Sequence, residues 1–217
     1  ITHVSLDGSF VVVKGVYKNK QFELKERGYS IIERSATGWE EPRSIKITNY
    51  NNYDKGLYNG MTMTPDHRTI IFTLSTKKDE ANNDLYISFM RQDSSYTEPV
   101  KLKVPVNTEF NEFSPFLAAD NTTLYFASDR PGGLGKSDIW MVKRLDSTWT
   151  SWSEPYNLGH PVNTEGKEGY FTIDARSEFA YMVKEANEEG NADIVKIKLE
   201  NDQKANPTVI IYGNVYD

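Results

Sequence analysis

A repeat constrains this chain more than any other feature. Asp66, Asp120 and Asp174 sit in Thr-Pro-Asp, Ala-Ala-Asp and Thr-Ile-Asp at an even spacing of 54, and Asp7 in Ser-Leu-Asp-Gly precedes the first of them by 59. Asp84-Leu85-Tyr86, Asp138-Ile139-Trp140 and Asp193-Ile194-Val195 keep spacings of 54 and 55, with Gly28-Tyr29-Ser30-Ile31 as a weaker counterpart upstream. Glu41-Pro42, Glu98-Pro99 and Glu154-Pro155 form a third mark, and Val106-Asn107-Thr108 against Val162-Asn163-Thr164 a fourth. Several marks in one period indicate a single supersecondary unit used again and again.

The third unit shows what that unit is. Phe113 to Ala118 is followed by a turn at Asp120-Asn121, then Thr123 to Ser128, a glycine-rich loop at Pro131-Gly132-Gly133-Leu134-Gly135, Asp138 to Lys143, and a last segment near Trp152 to Leu158. These are four short antiparallel strands bounded by turn residues. No window carries a sustained apolar pattern at helical spacing, so an α/β arrangement has no helices to build with. A period of about 55 residues with four strands per unit reads as a β-propeller blade. The expected fold is therefore all-β, with four four-stranded blades at about 1–47, 48–102, 103–158 and 159–201. Aromatic and β-branched residues such as Tyr125, Phe126, Ile139, Trp140 and Val142 suit sheets sandwiched between neighbours. Pro42, Pro99 and Pro155 are expected in the outer strands, where a missing N–H discourages foreign pairing.

The fourth unit shows no Trp-x-x-Pro outer strand, and four blades stand at the small end of the propeller range. The blades are thus expected to be part of a larger propeller, with the missing strand and further blades upstream of Ile1.

Composition narrows the function. The 217 residues are 38% hydrophobic and 26% charged, which is enough for a buried core. A net charge of −6 without a long basic run argues against nucleic acid as a partner. Cysteine is absent, which removes disulfides, thiolate metal sites and a cysteine nucleophile. No apolar stretch approaches the ~20 residues of a membrane helix, so direct membrane insertion is not expected.

The run from Ser114 through Asp129-Arg130-Pro131-Gly132-Gly133-Leu134-Gly135-Lys136-Ser137-Asp138-Ile139-Trp140 strongly resembles the WD40-like PD40 repeat, in the version found in OmpA-family proteins of Bacteroidetes. Trp152-Ser153-Glu154-Pro155, Asn157-Leu158-Gly159 and Pro161-Val162-Asn163-Thr164 match that family's pattern between blades. The resemblance covers about residues 1 to 200, sharp in the third unit and loose in the first. It implies a non-catalytic scaffold that is periplasmic and associated with the outer membrane. Its expected partners are other cell-envelope proteins. After a linker at 202–207, the run Thr208 to Asp217 looks like the first strand of a carboxypeptidase-regulatory-like β-sandwich. Peptidoglycan would be reached only through a domain further downstream.

Two sets of residues carry the functional expectations. Asn107, Glu109 and Glu112, with Asn163, Glu165 and Glu168 one unit later, lie on loops leading into inner strands. There they would gather at one acidic mouth of the channel as a partner or ligand surface, or else cap their own turns and tie blades together. Asp129, Arg130, Gly132, Gly133, Gly135, Asp138 and Trp140 form a blade motif, with Asp129, Arg130 and Asp138 read as a polar clasp.

Sharper chemistry is disfavoured. Gly135-Lys136-Ser137 lacks P-loop spacing and precedes a strand. A calcium site at Asp129 and Asp138 has too few oxygens. His3, His67 and His160 show no ligand spacing, and no serine elbow is present, so no metal or cofactor is expected. Acids recurring at equivalent positions do not resemble a glycosidase pair, which needs unlike environments. A glycan-binding or glycan-cleaving propeller is the alternative reading. Among aromatic residues, Tyr125, Trp140 and Tyr181 are expected between blades, and Tyr50, Tyr53, Tyr58 and Trp149 on the surface.

Overall fold

The computed structural model describes residues 2–208 apart from 6, 20, 22, 57, 78–82, 175 and 186–190. The segment read as the first strand of a second domain therefore lies, beyond Thr208, outside the described residues.

Four small antiparallel sheets follow one another along the chain and form four propeller blades. Blade one comprises β1 (His3–Val4), β2 (Phe10–Tyr17), β3 (Leu24–Ser35), β4 (Gly38–Trp39) and β5 (Arg43–Ser44). Blade two runs from β6 (Gly60–Met63) through β7 (Thr69–Leu74) and β8 (Asp84–Phe89) to β9 (Val100–Lys101). Blade three has β10 (Glu112–Leu117), β11 (Thr123–Ser128), β12 (Asp138–Lys143) and β13 (Tyr156–Asn157). Blade four has β14 (Glu168–Ile173), β15 (Phe179–Glu185) and β16 (Ala192–Lys198). Helix is confined, among the described residues, to 3₁₀ turns at Tyr50–Asn52 and Asn201–Gln203.

Apolar residues on both faces of the middle strands decide how the sheets stack. Every residue of β7 and of β11 is buried, which requires a neighbouring sheet on each side. Three cores supply those neighbours. Phe10, Val12 and Tyr29 of blade one meet Ile70, Phe72 and Tyr86 of blade two. Ile71, Leu85 and Ile87 of blade two meet Leu124, Phe126 and Trp140 of blade three. Tyr125, Ala127, Ile139 and Met141 of blade three meet Phe171, Ala180 and Met182 of blade four. The inner strands also bond across blades: the amides of Ser114 and Leu117 donate to the hydroxyls of Thr73 and Thr62, each at 3.0 Å.

The repeat marks acquire specific jobs. Gly8, His67, Asn121 and Ser177 occupy the same left-handed turn position, with φ of 68°, 60°, 56° and 55°. Asp7, Asp66 and Asp120 each precede that residue and accept the amide two residues on. Asp174 is not their counterpart. Its amide donates to Phe179 as that of Ala118 does to Thr123, so it opens its turn two residues early, and the aspartate position falls to Arg176. Its carboxylate still caps the turn, 2.8 Å from the Glu178 amide.

Two expectations of placement are corrected. Pro42, Pro99 and Pro155 lie immediately before the two-residue outer strands β5, β9 and β13 and not within them. The stretch expected as linker packs in place: Gln203 is buried, donates to the Leu158 carbonyl at 2.7 Å, and through its own carbonyl accepts the Tyr125 hydroxyl at 2.8 Å.

Candidate functional site

The loops before β10 and β14 carry the residues expected at an acidic mouth. Asn107 is buried, and its amide group pairs with both the N–H and the C=O of Leu85, each at 2.8 Å. Asn163 does the same one blade later, accepting from Ile139 N–H at 2.8 Å and donating to its carbonyl at 3.0 Å. Each asparagine thus extends the ladder on the third strand of the preceding blade past the point where the short outer strand ends. Without it the N–H of Leu85 or Ile139 would be buried unpaired, while their carbonyls also accept the Leu102 amide at 2.9 Å and the Leu158 amide at 3.2 Å.

Glu112 is fully buried. One carboxylate oxygen accepts the hydroxyls of Thr108 at 2.6 Å and Ser128 at 3.1 Å and the Arg130 guanidinium at 3.0 Å; the other accepts the Thr108 amide. Burial pushes Glu112 up, while Thr108 and Arg130 pull it back. Arg130, itself buried, also donates to the Pro105 and Val106 carbonyls and lies over the Phe126 and Trp140 rings at 5.0 and 5.4 Å.

The clasp expected among Asp129, Arg130 and Asp138 is therefore assembled differently. Arg130 pairs with Glu112. Asp129 instead accepts the Asn111 amide and side chain, both at 2.7 Å. Asp138 takes the Leu134 and Gly135 amides at 2.6 and 3.1 Å and the Asn157 side chain at 2.8 Å, closing the glycine-rich loop. Two of its glycines are sterically required. A Cβ on Gly133 would meet Asp138 at 2.4 Å, and one on Gly135 would meet the Thr164 carbonyl at 2.2 Å. Gly132 adopts φ of 90°. The loop also grips the next blade, since the Lys136 amide donates to the Gly166 carbonyl at 2.8 Å and its ammonium pairs with Glu185 at 3.0 Å.

Glu168 repeats the position of Glu112 without its arginine. Thr164 donates to one oxygen, burial pushes the carboxyl up, and the other oxygen is buried with no partner among the described residues. Of the six loop residues, only Glu109 and Glu165 are exposed.

A cavity of about 320 Å³ is lined by strands of all four blades, including His3, Gly60, Ser114, Phe116, Tyr170 and Phe171. Its described lining contains no carboxylate. β10 and β14 bulge where they border it, placing Ser114 and Tyr170 at φ of 51° and 52°, and Tyr170 is 60% exposed. Nearby, Tyr58 stacks on Phe113 with centroids 5.0 Å apart. At the adjoining mouth, His3 and His67 flank Phe10 at 5.9 and 4.4 Å. Burial and the neighbouring His67 push His3 down to about 4. Among the described residues, no three His, Cys, Asp or Glu side chains group as metal ligands.

The aromatic expectations divide. Tyr125 and Trp140 are buried between blades, and Tyr58 is exposed. Tyr50 and Trp149, expected on the surface, are buried: Tyr50 packs against Tyr29 and Lys14 of blade one, and Trp149 lies between Trp152 and Arg144 of its own blade. Tyr181, expected to be buried, is 38% exposed. One cluster escaped the sequence reading. Lys14 projects between blades one and two, with its ammonium 2.6 Å from the Tyr50 hydroxyl and 2.8 Å from Asp54 and over the Tyr29 ring at 4.8 Å. Burial lowers its pKa, against the pull of Asp54. The signal was available in the alternation Val12, Lys14, Val16, which puts a lysine on an inward face.

No family model matches the sequence, and neither does any curated protein. Solved structures do resemble it. An α-L-arabinanase from Penicillium chrysogenum in complex with arabinobiose is 14% identical over 90% of this chain and 66% of its own, with a TM-score of 0.50. The α-L-arabinofuranosidase Arb93A from Fusarium graminearum is 14% identical over 84% of this chain and 58% of its own, also at 0.50. A TolB-type protein from Agrobacterium tumefaciens is 14% identical over 90% of this chain and 64% of its own, at 0.46. At these identities the likeness speaks for the propeller fold alone. The chain spans about three-fifths of the length of these three.

Proposed function

We propose that the chain is a non-catalytic, protein-binding propeller that serves as a scaffold. The observation that carries this reading is where the acids go. Glu112 and Glu168, at the starts of inner strands, are buried in contacts within the fold, while the described lining of the axial cavity offers no carboxylate. Most glycoside hydrolases place two acids facing one space. The acids left on the surface of these loops, Glu109 and Glu165, recur on successive blades and present a repeated negative feature to a partner.

The resemblance of the glycine-rich blade motif to OmpA-family PD40 proteins supports a periplasmic, outer-membrane-associated location and cell-envelope protein partners. In that setting peptidoglycan would be contacted by a separate downstream domain, and neither nucleic acid nor the bilayer would be bound directly. A second reading, glycan binding in the axial cavity, draws on the exposed Tyr170 and the Tyr58–Phe113 stack, since rings beside a cavity suit sugar faces.

The two readings separate in one experiment: capture from envelope extract beside a glycan array, with Glu109→Lys/Glu165→Lys and Tyr170→Ala variants. The scaffold reading expects specific proteins to be captured and then lost in the double charge reversal, with Tyr170→Ala unaffected. Glycan binding lost in Tyr170→Ala, with no protein captured, overturns it.

A further inference from the structure

The far face of blade four is built like a blade interface, and among the described residues no blade covers it. In blade three, the face that meets blade four is formed by two cross-strand pairs, Tyr125 with Met141 and Ala127 with Ile139. Blade two uses Ile71 with Ile87 and Thr73 with Leu85 in the same register. Blade one uses Val12 with Ile31 and Lys14 with Tyr29. In blade four, the equivalent pairs are Tyr181 with Lys196 and Val183 with Ile194. Here they face outward. Ile194 is 82% exposed, where its counterparts Ile139 and Leu85 are fully buried. An isoleucine and a tyrosine side by side on an open sheet face leave apolar area uncovered that the same positions bury three times elsewhere in the molecule.

Lys196 looks out of place on such a face, but the molecule contains its precedent. Lys14 lies on the corresponding face of blade one and is taken up at the interface by Asp54 and Tyr50 from the chain leading into blade two. Lys196 is already arranged in the same manner on its own side, with its ammonium over the Phe179 and Tyr181 rings at 4.0 and 5.7 Å. A lysine stacked on aromatic rings and lacking only a carboxylate from the other side is half of the arrangement seen between blades one and two.

We propose that a further blade of the same repeat, belonging to the same polypeptide and lying outside these 217 residues, packs on this face. It inserts apolar residues of its second and third strands against Tyr181 and Ile194 and brings an acidic residue to Lys196 from the segment leading into its inner strand.

Cysteine is absent from these 217 residues, so with any cysteine elsewhere in the polypeptide changed to serine, a single introduced thiol reports on one position. Ile194→Cys and, as an exposed control, Leu145→Cys are placed both in the chain described here and in the complete polypeptide its gene encodes; a gene that encodes no further blade overturns the proposal at once. Maleimide labelling rates are then measured across a range of protein concentrations, with circular dichroism confirming the fold of each variant. The expected result is fast labelling of both thiols in the shorter chain at every concentration. In the full polypeptide, the thiol of Ile194→Cys alone should label at least about tenfold more slowly, because reaction then waits for the interface to open. Equally fast labelling of that thiol in the full polypeptide overturns the proposal. Protection that appears in the shorter chain as concentration rises overturns it too, since the face is then covered by a second copy.

Discussion

Replacing Arg130 with alanine removes the guanidinium that stands 3.0 Å from the buried Glu112 carboxylate and leaves the Pro105 and Val106 carbonyls without a donor. Breaking one side of a buried ion pair costs about 3–5 kcal/mol, because the remaining charge stays desolvated. The hydroxyls of Thr108 and Ser128 and the Thr108 amide still solvate Glu112, so the lower half of that range is expected. With a urea slope of about 2 kcal/mol/M for a domain of this size, the unfolding midpoint should fall by roughly 1.5–2 M. The sign of the pH dependence follows from the carboxylate. Without Arg130, the folded pKa of Glu112 lies further above its unfolded value, so the folded state takes up a proton more readily than the unfolded state. The deficit relative to the parent is then smallest below the unfolded pKa of ~4.3 and grows as pH rises through the folded value. The double variant Glu112→Gln/Arg130→Ala should recover part of the loss, which measures the coupling directly. A loss under about 1 kcal/mol, or a double variant no more stable than Arg130→Ala, would refute the argument that Arg130 exists to neutralise Glu112.

Asn107→Ala and Asn163→Ala should each cost about 1–3 kcal/mol in urea melts by stranding the buried N–H of Leu85 and Ile139, whose carbonyls keep the Leu102 and Leu158 amides as donors. Gly135→Ala should destabilise by more than about 2 kcal/mol because backbone carbonyls occupy the space of its Cβ, whereas Gly8→Asn should be near neutral, since Asn121 already holds the same left-handed turn position. For His3, the folded pKa of about 4 lies below the ordinary value of 6.5, so its contribution is present above pH 6.5 and is lost as pH falls toward 4. His3→Gln should flatten that part of the stability–pH curve by about 2 kcal/mol, read from urea midpoints at about pH 7 and about pH 4.5.

Blades were legible in the sequence because their turns are local. A carboxylate that caps the amide two residues on must sit at a fixed place in each hairpin, so Asp66 and Asp120 keep the period. Asp174 satisfied the same spacing while standing two positions earlier in a turn of the same length, which only the backbone pairing of the turn reveals. The strands of blade three fell where alternation and turns placed them, but the outer strands are only two residues long, and beyond their ends Asn107 and Asn163 continue the contacts to the third strand. The partner of Arg130 was not legible. Glu112 lies one strand earlier, and only the antiparallel register of β10 with β11 brings the two together. Burial of Tyr50 was missed for a related reason, since its loop packs on a different blade from the one it belongs to, and that of Trp149 because its loop closes over Arg144 and Trp152. Tyr181 shows the converse, a residue whose strand phase calls for burial on a face left open here.

If stacking on neighbouring sheets is what stabilises a blade, hydrogen exchange resolved by strand should follow the number of its faces that are covered. Exchange should be slowest in β7, β8, β11 and β12, whose blades are covered on both faces, and markedly faster in β16, at an open face and a sheet edge. Uniform protection across all four sheets, or exchange in β11 as rapid as in β16, would contradict it.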